Sequence, residues 1–375
     1  MPEPADILTL ALQRAVANLQ RPIVTNSGIR QRAEYVSRNL RNRAGVRLLT
    51  SCLLAKIHNP AFDVRKPYTQ IGGTDSFSGR TYDEQYITAF INTHNLPCNN
   101  TTAFLTSAFR CHNAPLTRDL NLVGRPPQLY TAVLQLLDDV HNNRVSADEL
   151  LAETIRLLIT FKNERQQRIE SLVATLKTTA DAISLSSEDI VSLIDRHMRS
   201  KGTSRLPVLI IAAAYNAAKH HLGEQTLALQ SHNAADKQTG ALGDVEITLI
   251  GDDRIVTSYE MKNKRVTDKD IERALQKLSL LKKRVDNYIF ITTEEIDRAA
   301  QEYARSLYVQ TGGVEFVILD CVGFVRHYLH LFHRLRPDFL QEYQSLILAE
   351  PESSVSHPVK ESFLSLRQVA EADLN

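Results

Sequence analysis

Gly243-Asp244-Val245-Glu246-Ile247-Thr248-Leu249 and, nine residues further on, Ser258-Tyr259-Glu260-Met261-Lys262 are the two runs from which a fold can be built. In the first, acidic or hydroxyl residues alternate with Val245, Ile247 and Leu249, the period of a strand with one face in a core. The second puts Ser258, Glu260 and Lys262 on one face and Tyr259 and Met261 on the other. Gly251-Asp252-Asp253-Arg254 between them is turn chemistry, so the spacing predicts an antiparallel hairpin. An odd-length connection sets Asp244 across from either Glu260 or Lys262, with Glu246 one pair nearer the turn on the same face. Opposed Cβ atoms in such a pair are roughly 4.5 to 5.5 Å apart, close enough for two carboxylates to share one cation.

Facing carboxylates repel unless positive charge lies between them, and hard oxygen ligands with waters to spare suit Mg²⁺. Lys262 adds a point charge beside that cation, where it can orient a water and stabilise an anionic transition state. Downstream, Thr267 and Asp270 form a capping-box pattern. Ile271, Ala274, Leu275, Leu278, Leu281 and Val285 then make one apolar stripe, predicting a helix of about 18 residues. That helix turns Lys269, Arg273, Lys277 and Lys282 toward solvent or DNA. Asn287 leads into the buried strand Tyr288-Ile289-Phe290-Ile291-Thr292, a crossover beside the hairpin. Upstream, Leu206 to Leu222 is a buried helix ended by Lys219, His220, His221 and Gly223, and Thr226 to Gln230 supplies a first strand.

Helix, three strands, helix and strand, with D-x(15)-E-x-K spread over the hairpin, resembles the PD-(D/E)XK nuclease superfamily. Gly243 stands where that superfamily often has proline. Gly243-Asp244-Val245, Val256-Thr257 and Tyr259-Glu260-Met261-Lys262 resemble more closely the type II restriction endonucleases of the SacI family. Fainter likenesses are Leu48 to Ala55, Phe77-Ser78-Gly79-Arg80 and Asn99-Asn100 to Phe104. The resemblance implies Mg²⁺-dependent cleavage of duplex DNA at a short palindrome by a homodimer, with a cognate methyltransferase as genetic partner. It makes Asp244 and Glu260 metal ligands and Lys262 the catalytic lysine. The metal positions expected here are Asp244, Glu260, Glu246, added from strand parity, and Met261.

The expected fold class is mixed α/β, a helical N-terminal domain followed by an αβββαβ core. Ile7, Leu8, Leu12, Ala15 and Leu19, and again Leu150, Leu151, Ile155, Leu158 and Ile159, repeat at helical spacing. The expected map is a mostly helical domain over residues 1–200 for DNA recognition or dimerisation, a nuclease domain over 201–345, and a polar tail over 346–375. Loop-like stretches near 71–86 and 94–104 have the length of functional loops. Arg30, Arg32, Arg38, Arg41, Arg43 and Arg47 crowd together with Tyr35, as a phosphate-tracking surface or a solvated helix face would. Arg80, Tyr82 and Arg110 are candidates for base-edge or phosphate contacts.

With 44 basic and 43 acidic residues, a formal charge of +1, the chain as a whole does not advertise a polyanion partner, so a DNA surface must be a local patch. Cys52, Cys98, Cys111 and Cys321 form no C-x-x-C pair, which argues against a zinc ribbon or disulfide scaffold and fits a reducing, cytoplasmic compartment, which the resemblance implies is prokaryotic. The N-terminus lacks a basic leader pattern, and no stretch approaches the roughly 20 apolar residues of a spanning helix. His327, His330 and His333 step three at a time and drift off one helical face, so they predict an amphipathic helix rather than a metal cluster. Two other functions compete: a repair or recombination nuclease that reads DNA structure, and a non-catalytic DNA-binding protein whose acidic strands are a solvated edge.

Overall fold

The computed structural model describes residues 2–39, 42–99, 101–110, 112–177, 184–229, 241–281 and 285–372. The chain divides into two compact units, Met1–Gln167 and Arg168–Asn375. The division falls inside a helix of 31 residues, not near residue 200 as expected. The reason is that Ser187–Met198 packs its apolar stripe into the second unit's core.

The first unit is helical: α1 (Pro4–Ala17), α2 (Ser27–Ser37), α3 (Ala44–His58), α4 (Gly79–Tyr82), α5 (Thr88–His94), α6 (Pro127–His141) and most of α7 (Ala147–Lys177). Its centre is α3, every residue of which from Ala44 to Ala55 is buried. A helix buried on all sides must be covered on all sides, and α1, α2, α4 and α6 pack against it.

The second unit holds a five-stranded mixed sheet in sequence order: β1 (Glu224–Thr226), β2 (Val245–Leu249), β3 (Ile255–Lys262), β4 (Asn287–Thr292) and β5 (Glu315–Asp320). β1, β2 and β3 are antiparallel neighbours, whereas β3, β4 and β5 run parallel. The parallel pairs require crossovers, supplied by α10 (Asp268–Leu281) and α11 (Arg298–Gln310). Val245, Ile247, Tyr259 and Ile291 face a core shared with α8 (Ser187–Met198), α9 (Leu206–Leu222), α12 (Cys321–Leu331), α13 (Arg336–Ala349) and α14 (His357–Ala372). Tyr288, Phe290, Phe316 and Ile318 face the other core, with Ile271, Ala274 and Leu278 of α10 and Ala300, Ala304 and Leu307 of α11.

The hairpin, α9 and the α10–β4 crossover stand where the pattern predicts them. Gly223 closes α9 at φ 70°, a left-handed position open to glycine without a Cβ penalty. Three expectations change. β1 is shorter and earlier than Thr226–Gln230, whose last residue lies outside the described residues, as does Lys282 beyond α10. A second crossover adds β5 beyond the αβββαβ order. The supposed polar tail contains α14, anchored by buried Val359, Phe363 and Leu364. Among the described residues, no helix is long and apolar enough to cross a membrane.

Candidate active site

The hairpin register resolves which residue faces Asp244. Val245 pairs with Tyr259 and Glu246 with Ser258, so one step outward Asp244 lies across from Glu260. Two backbone-directed bonds fix Asp244: its N–H donates to Tyr259 O (2.7 Å), and its Oδ2 accepts from Met261 N–H (2.7 Å). This close approach explains Gly243. A Cβ there would lie 2.4 Å from Tyr259 O and 2.6 Å from Ser258 Oγ, inside any tolerable contact.

Glu260 is surrounded by donors. Lys262 Nζ lies 2.5 Å from its Oε1, Tyr288 OH bonds its Oε2, and Lys277 Nζ is 3.6 Å from the same oxygen. Glu260 and Lys262 retain only 13% and 17% side-chain exposure, so these charges act through a partly dehydrated medium. The Tyr288 hydroxyl also lies 2.9 Å from Leu242 O. One proton serves two acceptors there, one on the segment leading to Asp244 and one on Glu260 itself.

Asp270 sits behind Lys262. Its Oδ2 accepts from the N–H (3.1 Å) and hydroxyl (2.8 Å) of Thr267, the predicted capping box. Among the described residues its buried Oδ1 accepts no hydrogen bond, although three cations stand within 4 Å. Burial raises the Asp270 pKa, but the Thr267 bonds and the Lys262 and Lys264 ammoniums outweigh it and hold the carboxyl below its ordinary value. Ser258 Oγ, also on this face of β3, is buried without a hydrogen-bond partner among the described residues.

Residues 182–294 match the family profile of the SacI restriction endonuclease C-terminal domain. Over that stretch the chain is SacI-like. No curated protein matches it. The SacI-like segment runs from the residues before α8 through β4, and contains every residue of the cluster just described. It stops short of β5, so the second crossover and the helices after it lie outside the matched region, as do the fainter likenesses in the first unit.

Within the SacI-like segment, the structure brings Asp244, Glu260 and Lys262 together. Glu246 behaves differently from its expected role: its Oε1 accepts from Leu242 N–H (2.8 Å), bracing the loop that carries Asp244. Met261 contributes the N–H that fixes Asp244. Sequence reasoning missed Lys277 and Tyr288. Lys277 was set on the outward face of α10, yet it flanks Ala274 and Leu278 and reaches over the sheet to Glu260. Tyr288 looked like one more core aromatic, and its position two residues before Phe290 on a buried strand gave no sign that its hydroxyl would reach a carboxylate. Asp270 was read only as a cap.

The arginine-rich stretch is largely neutralised by acids. Arg32 pairs with Asp139 (2.5 Å), Arg38 with Glu164 (2.6 Å) and Glu34 (3.1 Å), and Arg47 with Asp83 (2.6 Å). Arg41 lies outside the described residues, as do Asn100 and Cys111. Arg80 bonds Glu84 (2.7 Å), Tyr82 OH bonds His58 Nδ1 (2.6 Å), and Arg110 is exposed. His330 pairs with Glu188 (3.0 Å), and among the described residues no three His, Cys, Asp or Glu side chains gather to hold a metal.

Proposed function

We propose that the chain is a type II restriction endonuclease with a PD-(D/E)XK core, hydrolysing phosphodiester bonds of duplex DNA at a short palindrome with Mg²⁺. The observation that carries the reading is Asp244 opposite Glu260 with Lys262 2.5 Å from the latter, all inside the SacI-like segment. A two-fold symmetric site further implies a homodimer, acting in a prokaryotic cytoplasm beside a cognate methyltransferase.

The donor set fits Mg²⁺. This ion is commonly held by one or two carboxylates, with water and substrate phosphate completing its shell, so a pair suffices where a cluster of three is not needed. The ammoniums drawn to Glu260, Lys262 at 2.5 Å and Lys277 at 3.6 Å, mark that carboxylate as a place where positive charge is favoured. Bound to Asp244 and Glu260, Mg²⁺ would supply charge against the phosphate oxygens and make water more acidic.

The chain's own residues prepare that site. Met261 N–H holds Asp244 in one rotamer, and Tyr288 holds Glu260. Lys262 presents a cation that strengthens its hold as charge builds on the phosphate. Water adds at phosphorus and gives up a proton to solvent, the bond to the leaving oxygen breaks, and that oxygen takes up a proton from solvent.

Plasmid digestion tests the reading. Purified protein with Mg²⁺ should give discrete bands, EDTA should abolish them, and Ca²⁺ should support binding without cutting. Asp244→Ala, Glu260→Ala and Lys262→Ala should each lose at least about 10³-fold in rate while remaining folded, the scale of removing a transition-state charge partner. Near wild-type cleavage by any of the three overturns its assignment, and a smear instead of bands replaces sequence recognition with structure-directed cleavage.

A further inference from the structure

The two carboxylate oxygens of Asp270 do different work. Oδ2 is fully used in capping α10 through Thr267. Oδ1, on a residue only 1% exposed, accepts no hydrogen bond from the described residues, with Lys264 at 3.4 Å, Lys262 at 3.6 Å and Arg273 at 3.7 Å. Leaving a buried acceptor unused is costly, and more so for a charged group. Lys264 and Arg273 are exposed and keep water around their charges. Lys262 is not, so it is the cation that depends on protein partners. It stands between two carboxylates and at present bonds one, Glu260 Oε1 at 2.5 Å.

A divalent cation on Glu260 alters that balance. Ammonium and metal on one carboxylate repel each other, at a place where partial burial strengthens the repulsion. We propose that Asp270 is a positioning residue that takes over the Lys262 ammonium when a divalent cation binds Asp244 and Glu260. The handover is short: closing from 3.6 Å to a charge-assisted bond of about 2.8 Å moves the ammonium by roughly 1 Å. It gives Asp270 Oδ1 the donor it lacks and keeps Lys262 beside the reacting phosphate instead of expelling it into water.

The inference rests on Asp244 and Glu260 being the cation ligands, and its test separates the two claims. Mn²⁺, a hard divalent probe, is titrated onto the full chain without DNA and free Mn²⁺ is read by electron paramagnetic resonance. Asp270→Asn keeps an acceptor for Thr267 but removes the charge, and should weaken Mn²⁺ binding roughly 10-fold, the usual cost of losing an outer-shell partner. In a Lys262→Met background the same change should cost less than about 3-fold, because the residue it acts through is gone. Thr267→Ala removes one of the two bonds to Asp270 Oδ2 but keeps the Asp270 charge, and should cost less than about 3-fold in Mn²⁺ binding. Equal losses in both backgrounds would reduce Asp270 to a diffuse negative field, and a matching loss in Thr267→Ala would reduce it to a helix cap. Wild-type binding with an unaltered Asp270→Asn overturns only the handover; no Mn²⁺ bound by wild type at millimolar concentration overturns the ligand assignment and the handover together.

Discussion

Arg47 with Asp83 in the first unit, and Lys262 with Glu260 in the second, are ion pairs of nearly the same length, 2.6 and 2.5 Å, but opposite construction. The first is closed. Arg47 gives Nε to Asp83 and Nη2 to Thr88 Oγ1 (2.6 Å) and bonds Asn99 O through Nη1, while Asp83 Oδ2 accepts from Thr102 Oγ1 (2.7 Å) and Ala103 N–H (3.0 Å). The second is open. Among the described residues, Ser258 Oγ and Asp270 Oδ1 there have no hydrogen-bond partners, and Lys262 is shared between two carboxylates. Titration follows the same divide. Burial raises the Asp83 pKa beyond what Arg47 and Thr102 can pull back, whereas around Asp270 the cap bonds and lysines win. A closed network specifies a fold; an open one has capacity left for a ligand.

The strongest way to break this contrast is to remove one cation from each. Arg47→Met should destabilise the protein by about 3 to 5 kcal/mol, since it leaves a buried carboxylate uncompensated. Adding Asp83→Leu should recover much of that loss. Lys262→Met should change stability by no more than about 1 kcal/mol, because Glu260 keeps Tyr288 and Lys277, yet cleavage should vanish. Urea titrations of the four proteins measure this, and equal destabilisation by the two single substitutions would erase the distinction. Arg47→Met should also leave the salt dependence of DNA binding unchanged, contrary to the phosphate-tracking reading of residues 30–47.

A neutral version of the closed network sharpens the comparison through pH. His197 on α8 bonds Tyr343 OH (3.1 Å) and Val359 O (2.9 Å), joining three helices. The Val359 carbonyl can only accept, so Nε2 carries the proton and Nδ1 accepts from Tyr343. Burial pushes the imidazole pKa down from 6.5 to about 4. A base whose folded pKa is depressed stabilises the fold fully above its unfolded pKa and loses that contribution as pH falls toward the folded value. Stability should therefore fall by roughly 3 kcal/mol between pH 6.5 and about 4. In His197→Gln that part of the slope should disappear. A His197→Gln protein with the wild-type slope across this window would assign the acid sensitivity elsewhere.

What the sequence disclosed, and what it hid, follows the same logic. β2, β3 and α10 were legible because alternation, turn residues and the Thr267–Asp270 cap are local signals, and they carry Asp244, Glu260 and Lys262. Partners remote in the chain were not. Nothing in the crowding of Arg32, Arg38 and Arg47 announces Asp139, Glu164 and Asp83, which only tertiary packing brings near. α14 looked like a polar tail because few apolar residues suffice to seat it. The unit boundary was invisible because it interrupts no helical pattern: α7 continues through it.

Tyr288 gives the finest test, because it belongs to the core by burial and to the site by one atom. Its ring packs against Phe290 and Phe316, with centroids 5.2 and 5.5 Å away. Tyr288→Phe keeps that packing and removes only the hydroxyl that reaches Glu260 Oε2 and Leu242 O. A structural hydroxyl would show its loss in stability, about 1 kcal/mol for one hydrogen bond, with little change in rate. A hydroxyl that fixes a metal-binding carboxylate should instead cost roughly 10- to 100-fold in activity or in cation affinity, well short of the loss from removing Glu260 itself. Because it acts through Glu260, the deficit should shrink as Mg²⁺ is raised, while the rate at saturating DNA and fixed low Mg²⁺ stays depressed. Cleavage assays over a Mg²⁺ series, beside urea unfolding of the same variant, separate the outcomes. A Tyr288→Phe enzyme with wild-type Mg²⁺ dependence and only a lowered melting point would return Tyr288 to the closed, structural class that Arg47 exemplifies.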